Sequence, residues 1–146
     1  KREDKHDKNS ISVSGPRRSV CRDVEGYCGR VCGGNIRCTL KLTGTPWQPD
    51  PTGRVLFLES YSGSFARMET MLHQYRQMEM FSRCSGVLLG NFSELAEKQQ
   101  LPTLYRLVQD IIDDPALPIA VTTELGHQPE AHCLAYEGIR LEGSQL

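Results

Sequence analysis

The sequence lacks any long hydrophobic run. No apolar stretch among its 146 residues approaches the roughly 20 residues that a membrane-spanning helix needs. The basic N-terminus is not followed by the apolar segment of a signal peptide. We therefore expect a soluble, cytoplasmic protein with no membrane partner.

An excess of charge of either sign is also lacking. Seventeen Lys and Arg residues against eighteen Asp and Glu residues give a formal net charge of -1, which argues against broad attraction to nucleic acid. Small molecules or proteins are the expected partners. Hydrophobic residues make up 38% of the chain, enough for the core of one domain. The first residue is Lys1 rather than Met, so we expect either one domain or a piece of a longer protein.

The cysteines follow no metal-binding or redox motif. Six are present, without a C-x-x-C pair and without histidines at zinc-finger spacing: Cys21, Cys28, Cys32, Cys38, Cys84 and Cys133. In the absence of a secretion signal, reduced thiols are the expected state. We predict no metal site and no cofactor, and keep a cysteine-based metal or redox module as a minor alternative.

Composition divides the chain into a short tail and one domain. Residues 1–19 alternate charges and then run through Ser, Gly and Pro, which is typical of a flexible tail or the remnant of a linker. Residues 20–146 form the predicted domain. Its glycine-rich beginning ends at Asn35, a good N-cap for a short helix from Ile36 to about Thr43.

The middle of the chain alternates strand and helix patterns. Apolar runs predict buried strands at 55–58, 86–90 and 118–123. Apolar residues at intervals of three and four predict a helix of about four turns from Phe65 to Phe81, and a second helix after Pro102. Short connections then imply an α/β fold with a parallel βαβαβ core.

The C-terminal pattern differs from the core. Two short apolar segments, 133–136 and 139–141, flank Glu137-Gly138, a two-residue turn signal. We predict a C-terminal β-hairpin.

Polar residues follow each predicted parallel strand, where ligands bind in open α/β sheets. These are Glu59 and Ser60, Asn91, and the segment from Glu124 to His127. A carboxylate and an imidazole at one edge can form an orienting pair, in which the carboxylate fixes the tautomer of a histidine that acts as a general base. A polar strand end or a structural histidine is the alternative interpretation.

A nucleophile for that pair is lacking. The chain contains no G-x-S-x-G motif. The serines after the first strand (Ser60, Ser62 and Ser64) are better explained as helix caps, Cys84 precedes its strand, and Cys133 begins the predicted hairpin. The sequence offers a base and its orienting group with nothing for them to activate.

Several motifs lie in order along the chain. They are Gly33-Gly34-Asn35, Gly44-Thr45-Pro46 with Pro49-Asp50, Val55-Leu56-Phe57-Leu58-Glu59, the Phe65 to Leu72 helix with Arg67, Gly86 to Phe92, and Leu125-Gly126-His127. Together they resemble the C-terminal domain of the LD-carboxypeptidase family over about Gly26 to Leu141. The resemblance implies a swivelling β/β/α-type domain of an α/β serine peptidase.

The resemblance also implies the site. Members use a Ser-Glu-His triad divided between two domains, and Glu59 and His127 match the Glu and His of the C-terminal domain, which explains the missing nucleophile. The implied substrate is the murein tetrapeptide of cell-wall recycling, cut at an L,D-amide bond to release D-alanine. Asn91 and Asn35 are the candidate substrate-binding residues, and the family commonly forms homodimers.

Three functional alternatives remain beside murein hydrolysis. With its nucleophile domain missing, the isolated chain is expected to be inactive, so a non-enzymatic binding or interaction module is one alternative. An immunity-type peptidase acting on a peptidyl or aminoacyl nucleotide is another, and the cysteine-based module is the third. The chain departs from the family where Ser60 replaces Asp and where Gln128 to His132 follow His127; His132 is a second candidate base.

Overall fold

The computed structural model describes residues 10–13, 27–134, 136 and 139–143. Its helices and strands, in chain order, are β1 (Ser10–Val13), β2 (Tyr27–Gly29), β3 (Val31–Asn35), α1 (Ile36–Leu40), β4 (Val55–Ser60), α2 (Phe65–Gln77), α3 (Met80–Arg83), β5 (Gly86–Phe92), α4 (Ser93–Glu97), α5 (Leu101–Ile112), β6 (Ile119–Val121) and β7 (Ile139–Gly143). No helix in these described ranges is long and apolar enough to cross a membrane.

A parallel four-stranded sheet forms the centre of the domain. Its strand order is β3-β4-β5-β6, and every neighbouring pair is parallel. The predicted α/β fold with a parallel βαβαβ core is therefore confirmed. The sheet has one strand more than predicted, because β3 arises from the glycine-rich segment before Asn35.

Burial on both faces explains why residues 55–58 of β4 are all apolar. Leu56 and Leu58 face the main core together with buried side chains of α2 and α5, whereas the intervening Phe57 faces the other side and is still only 6% exposed. Both faces of this central strand are covered, as a strand without polar alternation requires. Each fully buried leucine here stabilises the fold by about 1.5 to 3 kcal/mol.

Two predicted helices end earlier than their sequence patterns indicate. Helix α1 is capped by Asn35 as predicted but ends at Leu40 rather than near Thr43. The predicted helix from Phe65 to Phe81 is interrupted after Gln77, because Glu79 adopts a left-handed conformation with φ of 57°. The apolar spacing continues through Met80 and Phe81 because α3 buries both side chains in the same core.

The C-terminal strand does not form the predicted hairpin. Strand β7 lies between β1, with which it is parallel, and β2, with which it is antiparallel. Both of its hydrogen-bonding edges are thus occupied, and Cys133 and Leu134 lie outside any strand. Strand β1 also places residues 10–13 of the predicted tail in this three-stranded sheet; the remainder of 1–19 lies outside the described residues.

Candidate active site

The predicted site residues gather at the carboxyl edge of the parallel sheet. Glu59 is the penultimate residue of β4, Asn91 is the penultimate residue of β5, and Asn35 ends β3 opposite Glu59 in the strand register. The segment after β6 leads to His127 at the same edge. The parallel arrangement therefore brings together groups that are up to 92 positions apart in numbering, from Asn35 to His127.

Glu59 and His127 are in direct contact. The His127 Nδ1 and Glu59 Oε2 atoms are 2.6 Å apart. Because an ionised carboxylate can only accept hydrogen bonds, this geometry assigns the imidazole proton to Nδ1. Nε2 is then the basic nitrogen and is left to accept a proton from another group.

The two partners differ in exposure. The Glu59 side chain is 7% exposed, whereas that of His127 is 46% exposed. A buried carboxylate requires a hydrogen-bonding partner, which the imidazole supplies. No buried side-chain nitrogen or oxygen in the described part of the chain lacks a partner. The pair thus combines a carboxylate fixed in the fold with an imidazole that a group from outside can reach.

The close approach of the His127 segment to strand β5 depends on Gly126. The Asn91 N–H donates to the Leu125 carbonyl at 2.7 Å, which ties the histidine segment to β5. Gly126 has φ of +151°, and a Cβ atom there would lie 2.8 Å from Asn91 Cβ and 2.7 Å from Gln128 Oε1. A side chain at position 126 would therefore push the histidine segment away from the sheet.

Both candidate substrate-binding asparagines already have hydrogen-bond partners in the fold. The Asn35 Oδ1 accepts the Cys38 N–H at 3.2 Å, as an N-cap does. The Asn91 Nδ2 donates to Ser93 Oγ and to Gln128 Oε1, each at 3.3 Å. Asn91 thus supports the residue that follows His127, and both asparagines lie at the same edge as the pair.

The alternative residues considered from sequence have other surroundings. His132 Nδ1 is 3.7 Å from Glu124 Oε2, and its side chain is 64% exposed. Cys84 is buried before β5, at the opposite end of that strand from Asn91, and burial raises the pKa of its thiol. Cys133 is exposed and lies in no strand.

The sequence profile of the LD-carboxypeptidase C-terminal domain matches residues 28–140, more than half of the chain. The chain belongs to the LD-carboxypeptidase family. The predicted resemblance is confirmed, and the matched region contains all four predicted site residues.

Named relatives of this LD-carboxypeptidase domain come from several bacteria. The carboxypeptidase homologue slr1534 of Synechocystis sp. is 31% identical over 101 residues, covering 68% of this chain and 34% of that protein. The microcin C7 self-immunity protein MccF of Escherichia coli is 26% identical over 102 residues, covering 68% of this chain and 29% of that protein. The chain thus spans about a third of the length of these relatives.

Solved structures share the fold. The muramoyltetrapeptide carboxypeptidase from Oxalobacter formigenes superposes with a TM-score of 0.63 at 25% identity, covering 77% of this chain and 39% of that one. MccF in complex with glutamyl sulfamoyl guanosine superposes with a TM-score of 0.59 at 22% identity, covering 80% of this chain and 33% of that one. The α/β architecture is that of the family.

Two residues beside the pair, Tyr61 and Gln128, could not be assigned to the site from the sequence. The Tyr61 ring centroid is 5.5 Å from that of the His127 imidazole, at an interplanar angle of 43°. The Gln128 Nε2 donates to the Thr123 carbonyl at 2.6 Å, which anchors the histidine segment to the end of β6. The proximity of Tyr61 to Glu59 in sequence was the available signal; the fold was needed to place its ring on His127.

A second tyrosine, Tyr136, lies close to the end of β3. Its hydroxyl donates to the Gly33 carbonyl at 3.2 Å. Burial raises the pKa of Tyr136, and interactions with the ionisable groups of Cys32 and then Glu59 raise it further. Tyr136 therefore lies within the electrostatic influence of the buried carboxylate.

One cavity described in the LD-carboxypeptidase domain has neither Glu59 nor His127 in its lining. It measures about 720 Å³ and is lined by Arg30, Val31, Cys32, Gly33, Pro49, Arg54 and Tyr136. Burial raises the pKa of Cys32 to about 11, which leaves this thiol protonated and unreactive at neutral pH. In the described ranges, Cys32, Cys38, Cys84 and Cys133 are free thiols, and no group of three potential ligands is placed to hold a metal ion.

Proposed function

We propose that this domain supplies Glu59 and His127 to a Ser-Glu-His triad that hydrolyses the L,D-amide bond of a murein tetrapeptide and releases D-alanine. The serine and the oxyanion hole would come from a nucleophile domain outside these 146 residues. The observation that supports this function best is the 2.6 Å contact between His127 Nδ1 and Glu59 Oε2, because it leaves Nε2 as the available base.

The proposed reaction assigns a separate task to each partner. The serine Oγ attacks the scissile carbonyl carbon while His127 Nε2 takes the hydroxyl proton. The imidazolium then gives this proton to the leaving amine of D-alanine, and a serine ester remains. Water cleaves the ester by the same proton path, which regenerates the serine and the neutral imidazole. Glu59 holds the imidazole in place and stabilises its cationic form throughout.

The exposure of His127 favours a composite site. His127 is nearly half exposed at the sheet edge, and Tyr61 beside it is 61% exposed. Acyl transfer requires donors that stabilise the oxyanion in a site from which water is excluded. A second domain covering this edge would supply both the donors and the exclusion of water. We accordingly expect the isolated chain to release no D-alanine.

Asn35 and Asn91 are the proposed substrate contacts within this domain. Asn35 is the last residue of β3 and Asn91 the penultimate residue of β5, at the edge that carries Glu59, and each is partly exposed. Asn35 uses Oδ1 for its cap, which leaves its Nδ2 donors for a substrate carbonyl or carboxylate.

The similarity to MccF supports an aminoacyl nucleotide as the alternative substrate class. MccF has been solved in complex with glutamyl sulfamoyl guanosine, and on such a substrate the same serine chemistry would act on a different acyl group. A non-enzymatic binding module that has kept the site edge is the other alternative. Direct assay separates these three proposals.

The test is a chimera that joins this chain to the N-terminal part of the Oxalobacter formigenes muramoyltetrapeptide carboxypeptidase in place of that enzyme's own C-terminal part. We expect D-alanine release from murein tetrapeptide by the chimera and none by the chain alone. H127A should abolish turnover, and E59Q should lower kcat by about three to four orders of magnitude, because Gln no longer selects the productive tautomer.

The matched control is H132A, which removes the other histidine of the same segment and should leave kcat unchanged. Full activity of H127A, or loss of activity in H132A alone, would overturn the assignment. Turnover of an aminoacyl sulfamoyl nucleotide but not of the tetrapeptide would favour the immunity-type function. A folded chimera that binds the peptide without turnover would favour the binding module.

A further inference from the structure

The turn at 60–63, directly after Glu59, contacts both members of the pair. At one end it continues the backbone of Glu59. In its middle, the exposed Tyr61 ring lies 5.5 Å from the His127 imidazole, within the range of paired aromatic rings. The position of this turn therefore determines what surrounds the proposed base.

Glu94, in helix α4, holds the 60–63 turn at two points. Its backbone N–H donates to the Tyr61 carbonyl at 3.1 Å. Its side-chain Oε2 accepts the Gly63 N–H at 2.5 Å, while Oε1 binds Lys98 Nζ at 2.5 Å. The hydrogen bonds from Lys98 and then from Gly63 lower the pKa of the Glu94 carboxyl, so it is ionised at neutral pH.

The conformation of the 60–63 turn is unusual enough to need such support. Gly63 has φ of +138°, and a Cβ atom there would lie 2.4 Å from Met68 Cε. Ser60 Oγ also donates to the Ser62 carbonyl at 3.0 Å within the turn. Tyr61 and Ser62 in the middle of this segment are exposed, and an exposed segment samples other conformations unless it is tied to the rest of the fold.

We propose that Glu94 is a positioning residue for the Glu59–His127 pair, acting through the 60–63 turn and the ring of Tyr61. The ring covers one side of the imidazole and limits its rotation, which keeps Nε2 directed away from Glu59. The π-face of Tyr61 also attracts the imidazolium that forms when His127 takes up a proton. The position of Tyr61 against His127 can be tested on this chain alone, whereas the effect of Glu94 on kcat rests on the proposed function.

The test is an NMR measurement on the 146-residue chain. The ring current of Tyr61 sets the chemical shifts of the His127 Cε1–H and Cδ2–H protons. We expect Y61L to displace these resonances and Y61F to keep them near their wild-type positions. E94A and E94D should displace them towards the Y61L positions although the tyrosine is still present, because neither side chain reaches the Gly63 N–H.

Two variants serve as matched controls. E94Q keeps an oxygen that can accept the Gly63 N–H, and E97A removes an exposed carboxylate from the same helix. Both should leave the His127 resonances in place. Wild-type resonances in E94A would overturn the proposal. If E94A does not fold, which a spectrum without dispersed resonances would show, the same comparison is made with E94D. An equal displacement in E94Q would also overturn it, because charge rather than the Gly63 hydrogen bond would then be responsible.

A kinetic arm uses the chimera. E94A should lower kcat on the order of tenfold with little change in KM, and E94Q should restore it, because a slightly misplaced base loses rate more than binding. Unchanged kcat in E94A would contradict the proposal. If the wild-type chimera shows no activity, the proposed function fails, while the NMR measurement still decides the role of Glu94.

Discussion

At the scale of single residues, the candidate site depends on how a buried carboxylate and a half-exposed imidazole are brought within 2.6 Å of each other. Glu59 is fixed by its strand, whereas His127 lies in an irregular segment. The precision of the pair therefore depends on the contacts of that segment with β5 and β6. Gly126 is the residue at which these contacts leave no space for a side chain.

Replacing Gly126 by Ala should destabilise the fold and displace His127. The new Cβ would lie within 2.8 Å of Asn91 Cβ, and the backbone conformation is one that residues with a side chain rarely adopt. We expect a loss of roughly 1 to 3 kcal/mol in the free energy of unfolding. Urea denaturation measures the stability, and the Nδ1–H resonance of His127 reports the pair.

Gly53→Ala is the matched control for Gly126→Ala. Gly53 also has a positive φ, +66°, but no atom lies within 4 Å of a Cβ built there. The Gly53→Ala substitution should lower the free energy of unfolding through backbone strain alone and leave the His127 resonance unchanged. Equal losses in the two variants would contradict the steric explanation.

The central pair could be predicted from sequence, whereas its surroundings could not. Glu59 and His127 each follow a strand, and the parallel topology requires such residues to meet at one edge. Tyr61 and Glu94 give no comparable signal. Their contacts depend on the path of the 60–63 turn, which is set by a hydrogen bond between residues 31 positions apart.

At the scale of secondary-structure elements, the apolar patterns predicted the central strands and helices more reliably than they predicted the residues at which these elements end. Strands β4 and β5 contain no polar side chain over residues 55–58 and 86–90, because both faces of the sheet are covered there. Strand β3 was missed because two of its five residues, Gly33 and Gly34, are typical of a turn. Glycine is nevertheless required at position 33, where a Cβ atom would lie 2.3 Å from the Phe57 carbonyl oxygen.

Asn35 has two roles that can be tested separately, the N-cap of helix α1 and the proposed contact with substrate. N35A should lower the free energy of unfolding by about 1 kcal/mol, since the Cys38 N–H loses its acceptor. N35S keeps a capping oxygen and should unfold at the wild-type urea concentration. In the active chimera, we expect N35S to raise KM, because Ser lacks the amide donors proposed to bind substrate. Unchanged kinetics in N35S would reject that substrate contact.

The tie between α4 and the 60–63 turn should depend on pH. The pKa of Glu94 is lowered from 4.5 in the folded chain, so its stabilising contribution is fully present above about pH 4.5 and is lost as the pH falls through the folded value. We expect E94Q to be less stable than wild type at pH 6 and the difference to shrink by pH 3. Urea denaturation at both values measures this, with E97Q as the control. A difference that persists undiminished at pH 3 would contradict it.

At the scale of the whole molecule, the described residues form two sheets. One is built from a continuous part of the sequence, and the other from strands that lie far apart in the sequence. The parallel sheet is built from 31–121, a continuous part of the sequence, and carries the main core. The smaller sheet depends on β7, which returns from the end of the chain to pair with β1 and β2. The predicted hairpin was wrong because neighbouring apolar segments favour a local pairing, whereas β7 pairs with strands more than 100 positions away.

Truncating the chain after Tyr136 should therefore unfold the small sheet and spare the parallel one. Removing β7 leaves β1 and β2 without the strand that lies between them, while the pairing of β4 with β5 is untouched. Hydrogen exchange should show faster exchange at the amides of Tyr27–Gly29 and preserved protection in β4. Truncation after Gly143, which keeps β7 intact, is the control and should retain both. Loss of protection in β4 after the longer truncation would show that the two sheets fold as one cooperative unit.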